Sequence, residues 1–244
     1  MLLLFDIDGT LLQRAAEAHA AAIREALLTV HGVQDPPHRA GYELAGRTDQ
    51  EIARGLLVAA GVAARRIDER ADDVRIAACE AYARLVPDDL SAHVTPGIAE
   101  LLERIAARGR DRLALVTGNH EAIARMKLRA AGIGHFFPGG QGGFGSDHED
   151  RAELPAIARR RAGDNGTPFP RGATIVIGDT PRDIACARAD GVRVVAVATG
   201  PFAAADLCEA DAVARDAAEL GALIDALTSG SGGKFGEVLP DARP

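Results

Sequence analysis

Tryptophan is absent from this 244-residue chain, and aromatic residues make up only 4% of it. A core of ordinary size must then be built from Ala, Leu, Val and Ile, which the 47% hydrophobic content allows. Cysteine is scarce. Cys79, Cys186 and Cys208 are odd in number and lack metal-site spacing, which argues against a disulfide framework and fits reduced thiols in a cytoplasmic protein. No apolar stretch approaches the ~20 residues of a membrane span. The N-terminal apolar run is too short for a signal peptide and has no basic region ahead of it. Positive charge is in deficit, with a formal net charge of -7. That balance speaks against nucleic acid or an anionic membrane as the main partner.

What is present begins at the N-terminus. Leu2-Leu3-Leu4-Phe5 is a short apolar run that stops at Asp6-Ile7-Asp8-Gly9-Thr10. Such a run reads as a fully buried strand of a parallel sheet. Ligands of open α/β sheets bind outside the carboxyl ends of their strands, so Asp6 and Asp8 are expected at the mouth of a site. Gly9 permits a sharp turn there.

Residues 14–90 are Ala-rich and strand-poor, with helices expected over Ala15–Leu28, Asp49–Gly61 and Ala63–Leu85. Thr95-Pro96 reads as an N-cap and first helical residue, opening a helix that runs to Arg108-Gly109. Strands are expected at Leu113–Val116, Thr174–Ile177 and Val192–Val197. Helices are expected near His120–Ala131, Ala152–Ala162 and Ile184–Ala189, and one short irregular strand in the Gly-rich segment 138–145. From Val94 onward strand and helix alternate, the mark of a parallel α/β sheet. The first strand must join that sheet to find partners. The fold class is therefore α/β: a Rossmann-like, doubly wound parallel core (residues 1–13 and 91–228) with an inserted all-α cap (14–90). Residues 229–244, rich in Gly, Ser and charge, read as a disordered tail.

Three strand ends carry polar groups: Asp6/Asp8, Thr117-Gly118-Asn119 and Asp179/Asp183. Carboxylates gathered at one sheet edge repel one another and call for a cation. Oxygen-only ligands suit Mg2+, and small hydroxyl and amide groups at a helix start suit phosphate. Together they point to phosphoryl transfer, where catalysis is mostly positioning and charge neutralisation.

These motifs, in this order, resemble the haloacid dehalogenase superfamily in its phosphatase branch. Asp6-Ile7-Asp8-Gly9-Thr10 resembles its first motif, Val116-Thr117-Gly118-Asn119 its second, and Gly178-Asp179-Thr180-Pro181-Arg182-Asp183-Ile184 its fourth, over roughly residues 2–225. The resemblance implies that Asp6 is the nucleophile forming an aspartyl-phosphate and that Asp8 is the general acid/base, its backbone carbonyl facing the metal. It implies Asp179 as an Mg2+ ligand, Asp183 as a second ligand or anchor, and Thr117, Gly118 and Asn119 as the phosphate cradle. The third motif departs, since the usual lysine is missing from Gly145–Ala152. Arg151 is the preferred replacement. Lys127 competes, but eight residues into its helix it lies ~12 Å from the phosphate end at 1.5 Å per residue.

Arg47-Thr48-Asp49 resembles a cap segment that lies near substrate. It reads equally as an N-cap at Thr48 or Asp49 beside a solvated arginine, while its functional reading has Arg47 meeting an anionic substrate group. Asp183 has its own local reading, as the third residue of a capping box begun by Thr180. Histidines show no ligand spacing, and His120 is expected at the surface. The runs Arg65-Arg66 and Arg159-Arg160-Arg161 are expected on solvated helix faces. Phosphomonoester hydrolysis of a small phosphorylated metabolite, phosphoglycolate-like or a sugar phosphate, ranks first. A phosphosugar mutase ranks second. A receiver-like phosphoacceptor module is the alternative of a different class, disfavoured by the Asp6/Asp8 spacing and the insertion. Absence of lysine from residues 14–90 disfavours the Schiff-base chemistry of phosphonate-cleaving relatives. Oligomeric state is not legible.

Overall fold

The computed structural model describes residues 1–37 and 43–228. Six parallel strands form one sheet: β1 (Leu2–Phe5), β2 (Arg112–Thr117), β3 (Gly143–Phe144), β4 (Thr174–Gly178), β5 (Arg193–Val197) and β6 (Ala212–Ala214). They lie in the order β3-β2-β1-β4-β5-β6. The strand order reverses at β1, which pairs with β2 through Leu3↔Leu113 and with β4 through Leu3↔Ile175. That reversal is where ligands of doubly wound sheets bind.

Alternation of side chains along each strand builds two apolar layers. Leu3, Phe5, Leu113, Leu115, Ile175 and Ile177 pack on one face against α5 (Ile98–Ala107) and α9 (Ala217–Thr228). Leu2, Leu4, Ala114, Val116 and Val176 pack on the other against α7 (Leu154–Ala162) and α8 (Pro181–Asp190). A central strand buried on both faces must be continuously apolar, which is why β1 reads as it does.

The helices α1 (Glu17–His31), α2 (Asp49–Ala59), α3 (Ala64–Glu69) and α4 (Ala71–Leu85) form a separate block. Its own apolar cluster includes Ala22, Ala26 and Leu27 of α1, Leu57 of α2, and Ala78, Ala81 and Tyr82 of α4. Alanines on facing helices let α1 and α4 approach closely. The block shares one element with the core, α6 (Glu121–Ala130): Ile123 joins the helical cluster while Ala124 and Leu128 join the sheet's.

Several local expectations are corrected. The helix expected over Ala63–Leu85 is two, broken at Arg70 (φ -117, ψ 12), with Asp72 and Asp73 opening the second, where acidic side chains favour a helix N-terminus. Thr95-Pro96 does not start α5. Thr95 to Ile98 form a turn closed by Ile98 N donating to Thr95 O (3.0 Å), and Gly97 supplies the positive φ of 78°, as the third position of a type II turn requires. Strand β6 and helix α9 were not anticipated. The tail expected over 229–244 lies outside the described residues.

Arg159 was expected in solvent and is buried. Its Nε and Nη2 donate to Asp190 Oδ2 (2.6 Å) and Oδ1 (2.8 Å), tying α7 to α8, and Arg171 reaches the same carboxylate. Removing one partner of such a pair strands a buried charge. Asp190→Ala is therefore expected to destabilise the fold by about 3 kcal/mol or more. Urea unfolding checks it, and an unshifted midpoint would rule out a structural role for the pair.

Candidate active site

Asp6 follows β1 directly, Thr117 ends β2, and Asp179 follows the last residue of β4. Parallel neighbours with matched register bring these ends to one edge. A cavity of about 590 Å³ opens there, lined by Asp6, Asp8, Thr117, Gly118, Asn119 and Asp179, with Arg151 and Arg47 also on its walls. Of the other expected site residues, Lys127, Thr48 and Asp183 lie buried behind that lining.

The carboxylates divide into two sets. Asp6, Asp179 and Asp183 each place an oxygen within 4.8 Å of the others, and all three are buried. Burial pushes the Asp6 carboxyl up to about 6, against the opposing charge of Arg151. Burial, with Asp183 and Asp6 close by, pushes Asp179 up to about 8. Asp179 Oδ2 is buried without a hydrogen-bond partner, while Oδ1 accepts from Thr10 Oγ1 at 2.9 Å. An all-oxygen trio with an orphaned carboxylate oxygen fits a hard divalent cation. Asp183 is the most occupied of the three. Its Oδ2 accepts from Thr180 N (3.0 Å) and Thr180 Oγ1 (2.7 Å), completing the capping box of α8, and its Oδ1 accepts from Arg151. Arg151 also lies 3.2 Å from Asp6 and donates to Gly46 O at 3.0 Å.

Asp8 is not a member of that trio. Lys127 Nζ donates to both its oxygens at 2.7 Å, and Asn119 Nδ2 to Oδ2 at 2.9 Å. Burial works to raise the Asp8 carboxyl, but Lys127, His19 and these hydrogen bonds outweigh it and hold it below the usual carboxylate range. The sequence-based distance argument against Lys127 measured to the phosphate end of its helix. Asp8 instead lies beside the buried face of α6, where Ile123, Ala124, Lys127 and Leu128 follow one another at helical spacing. Lys127 is one of only two lysines in the chain.

Two residues stand behind Lys127: His19, which the sequence did not single out, and Asp49, which entered only as a helix-cap alternative. Lys127 Nζ lies 3.1 Å from His19 Nδ1, and His19 Nε2 lies 3.0 Å from Asp49 Oδ2. An ammonium only donates, so Nδ1 accepts and Nε2 carries the hydrogen that Asp49 receives. Asp49 also accepts from the His120 amide at 2.7 Å. Burial opposes ionisation of Asp49, yet His19, His120 and their hydrogen bonds hold it down at about 2. His120, expected at the surface, is buried, and burial lowers its own pKa. The one available clue was position: His19, Ile23 and Leu27 fall on one helical stripe, with a histidine standing where the core face runs.

The Arg47-Thr48-Asp49 segment presses on the core. Thr48 Oγ1 accepts from Glu51 N (3.1 Å) as N-cap of α2 and donates to Glu149 O (2.6 Å), and Asp49 N donates to Gly118 O (2.8 Å). Arg47 Nε donates to Glu43 O at 2.7 Å, and its guanidinium pairs with Glu51. Glycines make this contact possible. A Cβ on Gly118 would overlap Arg47 O, one on Gly145 would overlap Gly118 O, and one on Gly9 or Gly200 would overlap Asp179 Oδ2.

Two predictions follow from this geometry. Gly200→Ala should displace Asp179 and weaken divalent-cation binding, read by titration calorimetry, about 10- to 100-fold, as loss of an outer support does. Unaltered affinity would show that Asp179 is not held by this contact. Asp49 is more acidic folded than its usual 3.8, so its ionised form stabilises the fold above about pH 4, and that contribution fades as pH falls toward 2. At neutral pH it amounts to about 2 kcal/mol. The stability gap between wild type and Asp49→Asn should therefore narrow between pH 7 and pH 3, and a constant gap would contradict it.

The comparisons with known proteins agree with this architecture. The haloacid dehalogenase-like hydrolase family matches residues 3–188. The phosphoglycolate phosphatase of Rhodospirillum rubrum is 32% identical over 211 residues, covering 81% of this chain and 79% of that one. CbbY of Rhodobacter sphaeroides, crystallised with phosphate, superposes with a TM-score of 0.61 at 22% identity, covering 90% of this chain and 96% of its own. A candidate β-phosphoglucomutase of Bacteroides vulgatus gives 0.64 at 22% identity, covering 93% and 88%. No described helix is long and apolar enough to cross a membrane. Matched over most of its length and carrying its carboxylates at the switch point of the sheet, the chain belongs to the haloacid dehalogenase-like hydrolase family.

Proposed function

We propose that this hydrolase cleaves phosphate monoesters of small metabolites with Mg2+, through a covalent intermediate on Asp6. The observation that carries the reading is the division of the carboxylates. Asp6 and Asp179 of the buried trio line the cavity with Asp183 behind them, while Asp8, two residues from Asp6, is clamped separately by Lys127 and Asn119. The phosphoglycolate phosphatase relative favours hydrolysis over a mutase reaction.

In this reading an Asp6 carboxylate oxygen attacks phosphorus and the ester P–O bond breaks. The leaving alkoxide takes a proton from Asp8, which can share one across its 2.7 Å contact with Lys127. Asp8, again a carboxylate, then removes a proton from the water that attacks the aspartyl-phosphate, and Asp6 and inorganic phosphate are released. Asp6, Asp179 and the Asp183 position would hold Mg2+, which neutralises charge on the phosphoryl oxygens. Arg151 keeps Asp6 ionised and fixes it against Asp183. Thr117, Gly118 and Asn119 line the wall where the phosphoryl group sits. The α1–α4 block serves as the cap, closing through the contacts of residues 46–49 with the core, and excludes bulk water from the reaction.

Hydrolysis of 4-nitrophenyl phosphate tests this directly. Turnover should require Mg2+, vanish with chelator, and fall at least about a thousandfold in Asp6→Asn, as loss of a nucleophile does. Equal turnover in chelator, or an active Asp6→Asn, would defeat it.

A further inference from the structure

Residues 46–49 of the helical block rest on the core through neutral groups at three places. Asp49 N donates to Gly118 O (2.8 Å), and Thr48 Oγ1 donates to Glu149 O (2.6 Å). Gly46 lies against the start of α8, where a Cβ would come within 2.5 Å of Thr180 Oγ1. A fourth contact is charged: Arg151 Nη1 donates to Gly46 O at 3.0 Å.

Arg151 is buried, and a buried charge holds its place only where opposite charge offsets its lost hydration. The offset comes through the other arm of the guanidinium. Nη2 donates to Asp183 and lies 3.2 Å from Asp6. Among the described residues, neither Asp6 nor Asp183 has a hydrogen bond or ion pair with residues 14–90. One planar group therefore spans from the carboxylates to the backbone of the helical block. A lysine ammonium, a point charge on a flexible stem, lacks that fixed two-armed geometry. The Nε of Arg151 is buried without a partner, so no hydrogen bond from it retains the group once the carboxylates let go.

We propose that Arg151 is a positioning residue for the helical block, one that makes the seating of residues 46–49 depend on the negative charge of Asp6 and Asp183. Loss of that charge releases the guanidinium, and Gly46 O loses its donor with it. A divalent cation on the trio competes with Arg151 for the same carboxylates, so filling the cation site loosens the segment. The cation step rests on the Mg2+-dependent reading of the site; the link from Asp6 to Gly46 does not.

Amide hydrogen exchange followed by NMR tests the proposal. The Asp49 amide, bonded to Gly118 O, reports the seat, and the Ala198 amide, bonded to Ala214 O of β6, reports global stability. Each variant is checked for folding by circular dichroism. In chelator, Asp6→Asn should speed exchange at Asp49 about three- to tenfold without speeding Ala198, since charge-assisted hydrogen bonds are the stronger kind. Saturating Mg2+ should have the same effect on the wild type. Arg151→Lys should exchange fast at Asp49 from the outset, and neither Asp6→Asn nor Mg2+ should add to it. An Arg151 that only fills space would leave the effects additive. Exchange at Asp49 that ignores Asp6→Asn, or that responds equally in the Arg151→Lys background, would overturn the proposal. Mg2+ that binds by calorimetry yet fails to speed exchange in the wild type would overturn the cation step and leave the hydrolytic reading intact. Absence of Mg2+ binding would overturn the hydrolytic reading and the cation step together, and the Asp6→Asn comparison would still decide the role of Arg151.

Discussion

Mutual repulsion among carboxylates is the constraint around which this molecule is arranged. Asp6, Asp179 and Asp183 meet within a few ångströms in a buried place, and charge there is not screened by water. The surroundings answer in three ways. Arg151 is set between Asp6 and Asp183. The Thr10 hydroxyl donates to Asp179 Oδ1, and the Thr180 amide and hydroxyl both donate to Asp183 Oδ2. Asp8, which would add a fourth negative charge, is given its own lysine. Among the described carboxylate oxygens of the trio, Asp179 Oδ2 is the buried one without a hydrogen-bond partner.

The second clamp extends outward. Asp8, Lys127, His19 and Asp49 form a line of alternating acceptors and donors that runs from the sheet edge through α6 into the helical block. Asp49 then returns to the core through the His120 amide and Gly118 O. The Asp8 carboxylate and the seating of the helical block are thus parts of one hydrogen-bonded circuit. Its buried members are mutually satisfied, so the removal of any one leaves another stranded.

The strand ends were legible because parallel strands buried on both faces leave an unmistakable mark: an apolar run cut off by polar residues. That mark located Asp6, Asp8, Thr117 and Asp179 without any three-dimensional information. The capping box at Thr180 and Asp183 was legible because it is local. What escaped was contact across long separations. Lys127 and Asp8 are 119 residues apart, and no spacing rule joins them. Arg159 looked like one member of a charged run, because its partner Asp190 is on the next helix. Thr95-Pro96 was misread because a type II turn and a helix start share the same first residues, and only Gly97 separates them. Strand β6, three residues long, is too short for any periodicity to register.

The glycine contacts divide the chain into parts with different freedom to vary. At Gly9, Gly118, Gly145 and Gly200 the obstacle to substitution is steric, since any side chain collides with backbone or with Asp179. These positions admit no gradual change. On α1 and α2, Ala20, Ile23, Arg24, Ile52 and Leu56 line the cavity, and Ile23, Ile52 and Leu56 also pack into the helical block's own apolar cluster. The edge of the sheet and the helical wall of the cavity are therefore held by different forces, one by steric exclusion at glycine and the other by apolar packing between helices.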